Sequence, residues 1–223
     1  MLSLIQSMKN ASAPINQIPA EVLSLIAHHR DADEDLIALT HVCRGWREIF
    51  ISHPSLWTSL DCAVIGKTRV YLERSKTSPL NIHLKQGAFL DNAFLLVVPH
   101  LNRLGCLSLS GSSNDLFELT EHLCSPAPLL KTLTLTVTGT EKLVLQAAIF
   151  NGDLSSLHEL RLNGVITSLP WENMSNLRTF DLRNVPSNEL SITRFLNFFE
   201  YSPLLRNIFL YNAFPTRSDA PSG

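Results

Sequence analysis

Asp31, Asp33, Glu34 and Asp35 form the densest cluster of chemistry-bearing side chains in the sequence. Their D-x-D-x-D spacing is the one that opens a calcium-binding EF-hand loop. The rest of that loop is missing: Leu36 stands where the sharp turn needs Gly, and Val42 stands where the bidentate Glu would close the coordination shell. Asp33 is therefore expected to cap a helix, with acids in its first turn facing the positive end of the dipole. His41 and Cys43 pair a base with a nucleophile, but two residues apart on a helix they point in different directions. Cys43 reads instead as a small core or interface residue. The run Gly111-Ser112-Ser113-Asn114-Asp115 does not complete a G-x-S-x-G elbow, and no H-E-x-x-H or Gly-rich phosphate loop occurs. The cysteines at 43, 62, 106 and 124 contain no C-x-x-C pair, which argues against a zinc knuckle or a dense disulfide framework and fits a reducing compartment. The eight His residues are scattered singly or as neighbours. No catalytic residue, metal or cofactor is expected.

The elements that carry these residues belong to a chain of 223 residues, 45% apolar, with a net charge of −2. That composition allows one large or two modest domains with an ample core. Ile15–Leu60 holds three basic and six acidic residues, and Asp61–Gly223 balances at fourteen of each, so no nucleic-acid footprint is expected. The start MLSLIQSMK lacks a basic segment ahead of its apolar run, and no stretch is long enough to span a membrane. Residues 1–14 are expected to be disordered or extended, and 215–223 to be a disordered tail.

The stretch Ile15–Trp57 organises into helices. Pro19 suits a first helical position, and Val22, Leu23 and Ile26 give one apolar face up to about His29. Leu36, Leu39, Cys43 and Trp46 then recur at spacings of 3, 4 and 3, a stripe that must be buried against something. Gly45 is expected to mark a turn or kink before a short third helix that ends ahead of Pro54. The ordered set Ile18-Pro19-x-Glu21-Val22-Leu23-x-x-Ile26, then Leu36, Leu39 and Val42-Cys43-Arg44-x-Trp46-Arg47, resembles an F-box over about a fifth of the chain. The resemblance implies a three-helix module that docks a Skp-type adaptor, and through it a cullin, with Ile18, Pro19, Leu23, Ile26, Leu36, Val42, Cys43 and Trp46 as docking candidates.

Beyond Trp57 the signal is repetition. Pairs of the form apolar-x-Leu end at Leu60, Leu84, Leu109, Leu135, Leu162, Leu182 and Leu210, at intervals of 24, 25, 26, 27, 20 and 28 residues. The blocks LGCLSL, LLKTLTL, SLHELRL and NLRTFDL share an opening leucine three residues before the pair, which matches the L-x-x-L-x-L core and period of leucine-rich repeats. Each unit is expected to supply one short strand to a parallel sheet, with return helices over Thr68–Ser75, Asp115–Leu123 and Asn188–Phe199. Ser112, Thr138, Val165, Val185 and Ala213 occupy the position three after each last leucine, where such repeats usually carry Asn, so no asparagine ladder is expected. Residues alternating with the inward leucines share one open face: His83 and Lys85, Ser108 and Ser110, Thr134 and Thr136, Arg161 and Asn163, Asp181 and Arg183, Phe209 and Tyr211. Arg161, Asn163, Asp181, Arg183, Phe209 and Tyr211 are the candidates for holding a target protein.

The expected fold is α+β or α/β, with an F-box at 15–53 followed at 54–214 by a leucine-rich-repeat solenoid with short parallel strands. The expected function is that of a substrate receptor in a Skp-cullin-F-box ubiquitin ligase, not itself an enzyme, working in the cytoplasm or nucleus. The alternative is a non-ligase repeat scaffold with a helical cap.

Overall fold

A computed structural model describes residues 13–29, 36–85, 93–145, 149–167, 171–186 and 192–213. The acidic cluster with its expected Asp33 cap, the start of the helix expected from Asn188, and both chain ends lie outside the described residues. The chain forms two compact units. One runs up to Thr58 and includes Tyr71–Ser78; the other comprises Ser59–Val70 and the chain from Pro79 on.

The first unit is helical. Helix α1 covers Ala20–His28, its first amides bonding back to the Pro19 carbonyl. Helix α2 is a single turn, Leu36–Leu39, and α3 covers Arg44–Ile51. The chain therefore breaks at Thr40–Cys43 and not at Gly45, which sits inside the first turn of α3. Side-chain chemistry holds that break. The Thr40 hydroxyl donates to the Ile37 carbonyl at 2.7 Å, and Arg47 Nε donates to the Thr40 carbonyl at 3.0 Å, so groups a continuous helix would satisfy internally find other partners. Leu23, Ala27, Leu36, Phe50, Leu56 and Trp57 form the core. Trp57 is fully buried: its Nε1 donates to the Phe50 carbonyl at 2.9 Å, Tyr71 packs edge-on at 5.0 Å, and the Arg74 guanidinium lies over the ring at 4.4 Å. The ring thus makes a T-shaped aromatic contact and carries a cation over its electron-rich face.

The second unit is built on a seven-stranded, wholly parallel sheet, in the order β1 (Ser59–Leu60), β2 (Leu80–Leu84), β3 (Leu104–Gly111), β4 (Thr132–Val137), β6 (Glu159–Asn163), β8 (Thr179–Arg183) and β9 (Asn207–Tyr211). Strands β5 (Leu143–Leu145) and β7 (Val165–Thr167) form a separate parallel pair. Return helices are α4 (Ile65–Arg74), which passes from one unit into the other, α5 (Ser113–Glu121) and α6 (Ile192–Tyr201). Among the described residues other connections include 3₁₀ turns, as at Val98–Arg103. The Ser112 hydroxyl accepts from the Asp115 amide while the Asp115 carboxylate accepts from the Ser112 amide. This reciprocal cap explains why α5 starts where it does.

The repeating leucines define the register. Leu84, Leu109, Leu135, Leu162, Leu182 and Leu210 stand opposite one another across six strands, and Ile82, Leu107, Leu133, Leu160, Phe180 and Ile208 form the row before them. Leu60 departs from the expected alignment by pairing with Ile82 instead of Leu84. The first strand also covers only Ser59–Leu60, because Pro54–Trp57 is a 3₁₀ turn. In α6 the buried ring is Phe198, tilted against Phe180 with centroids 5.0 Å apart, whereas Leu196 and Phe199 face outward.

An asparagine ladder is present despite the missing Asn at the usual position. Asn184 Nδ2 donates to Asn163 Oδ1 at 2.8 Å, and Asn212 Nδ2 donates to Asn184 Oδ1 at 3.2 Å. Gly164, Asn184 and Asn212, each two residues after the last strand leucine, have φ of 70°, 54° and 48°. Asn tolerates this left-handed conformation better than most residues. The Gly164 amide bonds to the Arg183 carbonyl and the Asn184 amide to the Tyr211 carbonyl, both at 2.8 Å, so the turn is tied strand to strand. Asn184→Ala is expected to destabilise the chain by about 2–3 kcal/mol, through backbone strain and two lost hydrogen bonds. Asn184→Gly, which keeps the turn, should cost about 1–2 kcal/mol. Urea-unfolding midpoints of the two variants separate the contributions.

Candidate functional site

Two surfaces, one in each unit, carry the residues singled out by sequence. On α1, Leu23 and Ala27 are 3% and 2% exposed, one helical turn apart on the inner side. Val22, Leu25 and Ile26, at i, i+3 and i+4, are 44%, 57% and 56% exposed. The helix thus carries a second apolar stripe that the core does not use. Val42, after α2, and Ile15, ahead of α1, are exposed as well.

This placement narrows the expected docking set. Pro19, Ile26 and Val42 are at the surface; Ile18, Cys43 and Trp46 are half-buried. Leu23 and Leu36 are interior and hold the module together, so they are not available for contact. Trp46 is fixed by two contacts, a 2.6 Å hydrogen bond from Nε1 to Asn16 Oδ1 and an edge-on ring contact with Phe50 at 5.6 Å. Val22, Leu25 and Ile15 were not among the sequence candidates. The signal was available, because the apolar residues of α1 spread over more of the helix than one core-facing stripe requires. Val22, Leu25 and Ile26 thus place three large aliphatic side chains on one exposed stripe of the helix.

Residues 15–63 match the F-box-like family. The F-box-like stretch takes in all three helices of the first unit and the first strand of the sheet. Neither the curated proteins nor the solved structures contain a match to the chain. An F-box-like domain supports a protein-interaction role of the kind in which F-box domains bind Skp-type adaptors.

The second surface is the open face of the sheet. Register places Arg161 beside Asp181 and Asp181 beside Phe209, with Asn163, Arg183 and Tyr211 in the next row. All six target-binding candidates therefore share one face. Thr134, Thr136, Arg161, Asn163, Asp181 and Arg183 line a hollow of about 200 Å³ there. Its guanidiniums are already engaged: Arg183 donates from Nε and a terminal nitrogen to Asp181, both at 2.8 Å, and Arg161 donates from Nε to Glu159 at 2.6 Å. The hydrogen bonds and charge of Asp181 push the Arg183 pKa above its usual value. Asp181 is itself only 6% exposed, so the hollow presents the remaining guanidinium N–H groups and threonine hydroxyls. Phe209 and Tyr211 flank it, 52% and 63% exposed.

Burial shifts several of the titratable side chains. Burial, with the charge of Asp61 adding, pushes the Cys62 thiol up to about 12, and burial with Glu159 raises Cys106. Both thiols therefore disfavour the reactive thiolate at neutral pH. Burial, with Lys85 and Arg103 respectively, lowers the pKa of His83 and His100. No cluster of three or more His, Cys, Asp or Glu side chains able to hold a metal occurs among the described residues, and no helix there is long and apolar enough to cross a membrane.

Proposed function

We propose that this chain is the substrate-recognition subunit of a Skp-cullin-F-box ubiquitin ligase. In this reading the outward stripe of α1 docks the Skp-type adaptor, and the sheet unit, a degenerate leucine-rich-repeat solenoid, holds the target protein. The observation that carries it is the unused apolar stripe Val22, Leu25 and Ile26 inside a stretch that matches the F-box-like family. The leucine rows of the parallel sheet, one strand per sequence block, support the repeat reading. The protein performs no bond chemistry itself: other subunits carry out the transfer, and its contribution is to hold the target near them, replacing a bimolecular encounter by proximity. It works in the cytoplasm or nucleus, where four unpaired cysteines are stable.

The adaptor half of the reading is tested by co-expression with a Skp-type adaptor, where a stable complex is expected and independent purification of the two proteins would end the proposal. The target half places the contact at Arg161, Arg183 and Tyr211, because Arg and Tyr dominate interface energetics. Changing these three to Ala together should abolish target capture in a pull-down while the adaptor stays bound. Capture that survives the triple change removes the open face from consideration.

A further inference from the structure

The sequence blocks share a position that the leucine pattern does not explain. One residue ahead of strands β4, β6, β8 and β9 stand Lys131, His158, Arg178 and Arg206, as in LKTLTL, LHELRL, LRTFDL and LRNIFL. In sequence they lie 20 to 28 residues apart. In the sheet they are neighbours. The His158 amide bonds to the Lys131 carbonyl at 2.8 Å, the Arg178 amide to the His158 carbonyl at 2.8 Å, and the Arg206 amide to the Arg178 carbonyl at 2.9 Å. The ladder thus continues one step past the strands and sets four basic residues in a line along the rim where the strands begin. At one strand spacing between neighbours the line is roughly 14 Å long.

We propose that this rim is a docking ledge for a carboxylate-rich segment of the target polypeptide. The inference deepens the reading of the sheet unit as the target-holding part and rests on it. Lys131, Arg178 and Arg206 are exposed and His158 is half-buried. None of the four is paired with a carboxylate among the described residues. Of the carboxylates close to the row in sequence, Glu159 is committed to Arg161, Asp181 to Arg183 and Asp153 to the amide and hydroxyl of Ser155, while Glu172 and Glu200, each six residues from an arginine of the row, form no ion pair with it. The chain from Asp61 on carries equal numbers of acidic and basic residues, so the row is a local segregation of charge and not part of a generally basic surface. A single nucleic-acid strand fits less well, since the row offers no Phe, Tyr or Trp and only the half-buried His158 ring on which bases could stack. Carboxylates need only the charge and the N–H donors, with Arg able to bind them bidentately. Because the backbone beneath each basic residue is fixed by the ladder, only the side chains have to be ordered on binding.

The test uses the full chain and fluorescein-labelled octaglutamate, read by fluorescence anisotropy at about 50 mM salt, where exposed charges are only partly screened. Binding is expected, and it should weaken at least about tenfold in the K131E/R178E/R206E variant, since each exposed pair contributes a few-fold and reversal adds repulsion. R178Q/R206Q, which introduces no new charge, should weaken it less and guards against a folding defect in the triple variant. Equal affinity of wild type and both variants, or no binding by the wild type, overturns the ledge. Tighter binding of a labelled oligothymidylate of the same length also overturns it, in favour of a nucleic-acid surface. Adaptor co-purification from the same preparations separates the two readings: loss of adaptor capture by the wild type counts against the ligase reading, and loss of octaglutamate binding with the adaptor retained counts against the ledge alone.

Discussion

Exchanging Val22 and Ile26 together for aspartate is expected to abolish co-purification of a Skp-type adaptor while leaving the thermal midpoint of the isolated chain nearly unchanged. Both side chains belong to the outward stripe of α1, 44% and 56% exposed, so in the free protein the new carboxylates stay in water. Surface changes of that kind shift stability by within about 0.5 kcal/mol. In the complex the same carboxylates would be trapped, unpaired, in a dried apolar contact. The penalty is on the order of 4 kcal/mol or more for the pair, about a thousandfold in affinity. Leu23, between them in sequence and 3% exposed, supplies the contrast. Leu23→Asp should also lose the adaptor, but through collapse of the module, visible as lost helical circular dichroism. Retention of the adaptor by the Val22/Ile26 double variant would show that this stripe is not the docking surface.

The second large effect is expected at the centre of the sheet. Leu135 is fully buried, with Leu109 and Leu162 directly opposite on the flanking strands. Leu135→Ala removes buried aliphatic volume that its neighbours, locked in register by the ladder, cannot refill, so a loss of about 2–5 kcal/mol is expected. Thr134, the adjacent residue on the same strand, points to the open face, and its side chain makes no hydrogen bond among the described residues. Thr134→Ala should cost within about 0.5 kcal/mol. Denaturant midpoints of the two variants measure the difference, and similar losses for both would contradict the alternation of inner and outer faces.

The leucine spacing revealed the sheet because strand geometry is local. Successive side chains point to opposite faces, so the pairs Leu133/Leu135 and Leu160/Leu162 declare both an inner row and, between them, an outer one. The six open-face candidates were legible for the same reason, and register only had to bring them side by side. The departures come where a local pattern has two solutions. Leu60 could align with Ile82 or Leu84, and a strand of two residues leaves that choice to its surroundings. The break before α3 was expected at Gly45, yet Thr40 and Arg47 bond across Thr40–Cys43 and place it earlier. The asparagine ladder was missed because the turn after the strands takes its left-handed residue two positions past the leucine instead of three. Asn184 and Asn212 fill that place, and Asn163, one residue past its own leucine, joins them through Asn184.

Sequence alone determined that a helical module with F-box spacing precedes a chain of strand-forming blocks, since hydrophobic period and capping chemistry act over a few residues. Tertiary structure decided which way α1 is rolled. Its residues Val22, Leu23, Leu25, Ile26 and Ala27 cover more than half of its circumference, with Glu21, Ser24 and His28 on the remainder, and only packing against the rest of the module buries Leu23 and Ala27 and leaves Val22, Leu25 and Ile26 outside. It also decided that Lys131, His158, Arg178 and Arg206 are neighbours. Lateral register between strands more than twenty residues apart on average is fixed by the shared core and the backbone ladder, and no local pattern of charge encodes it.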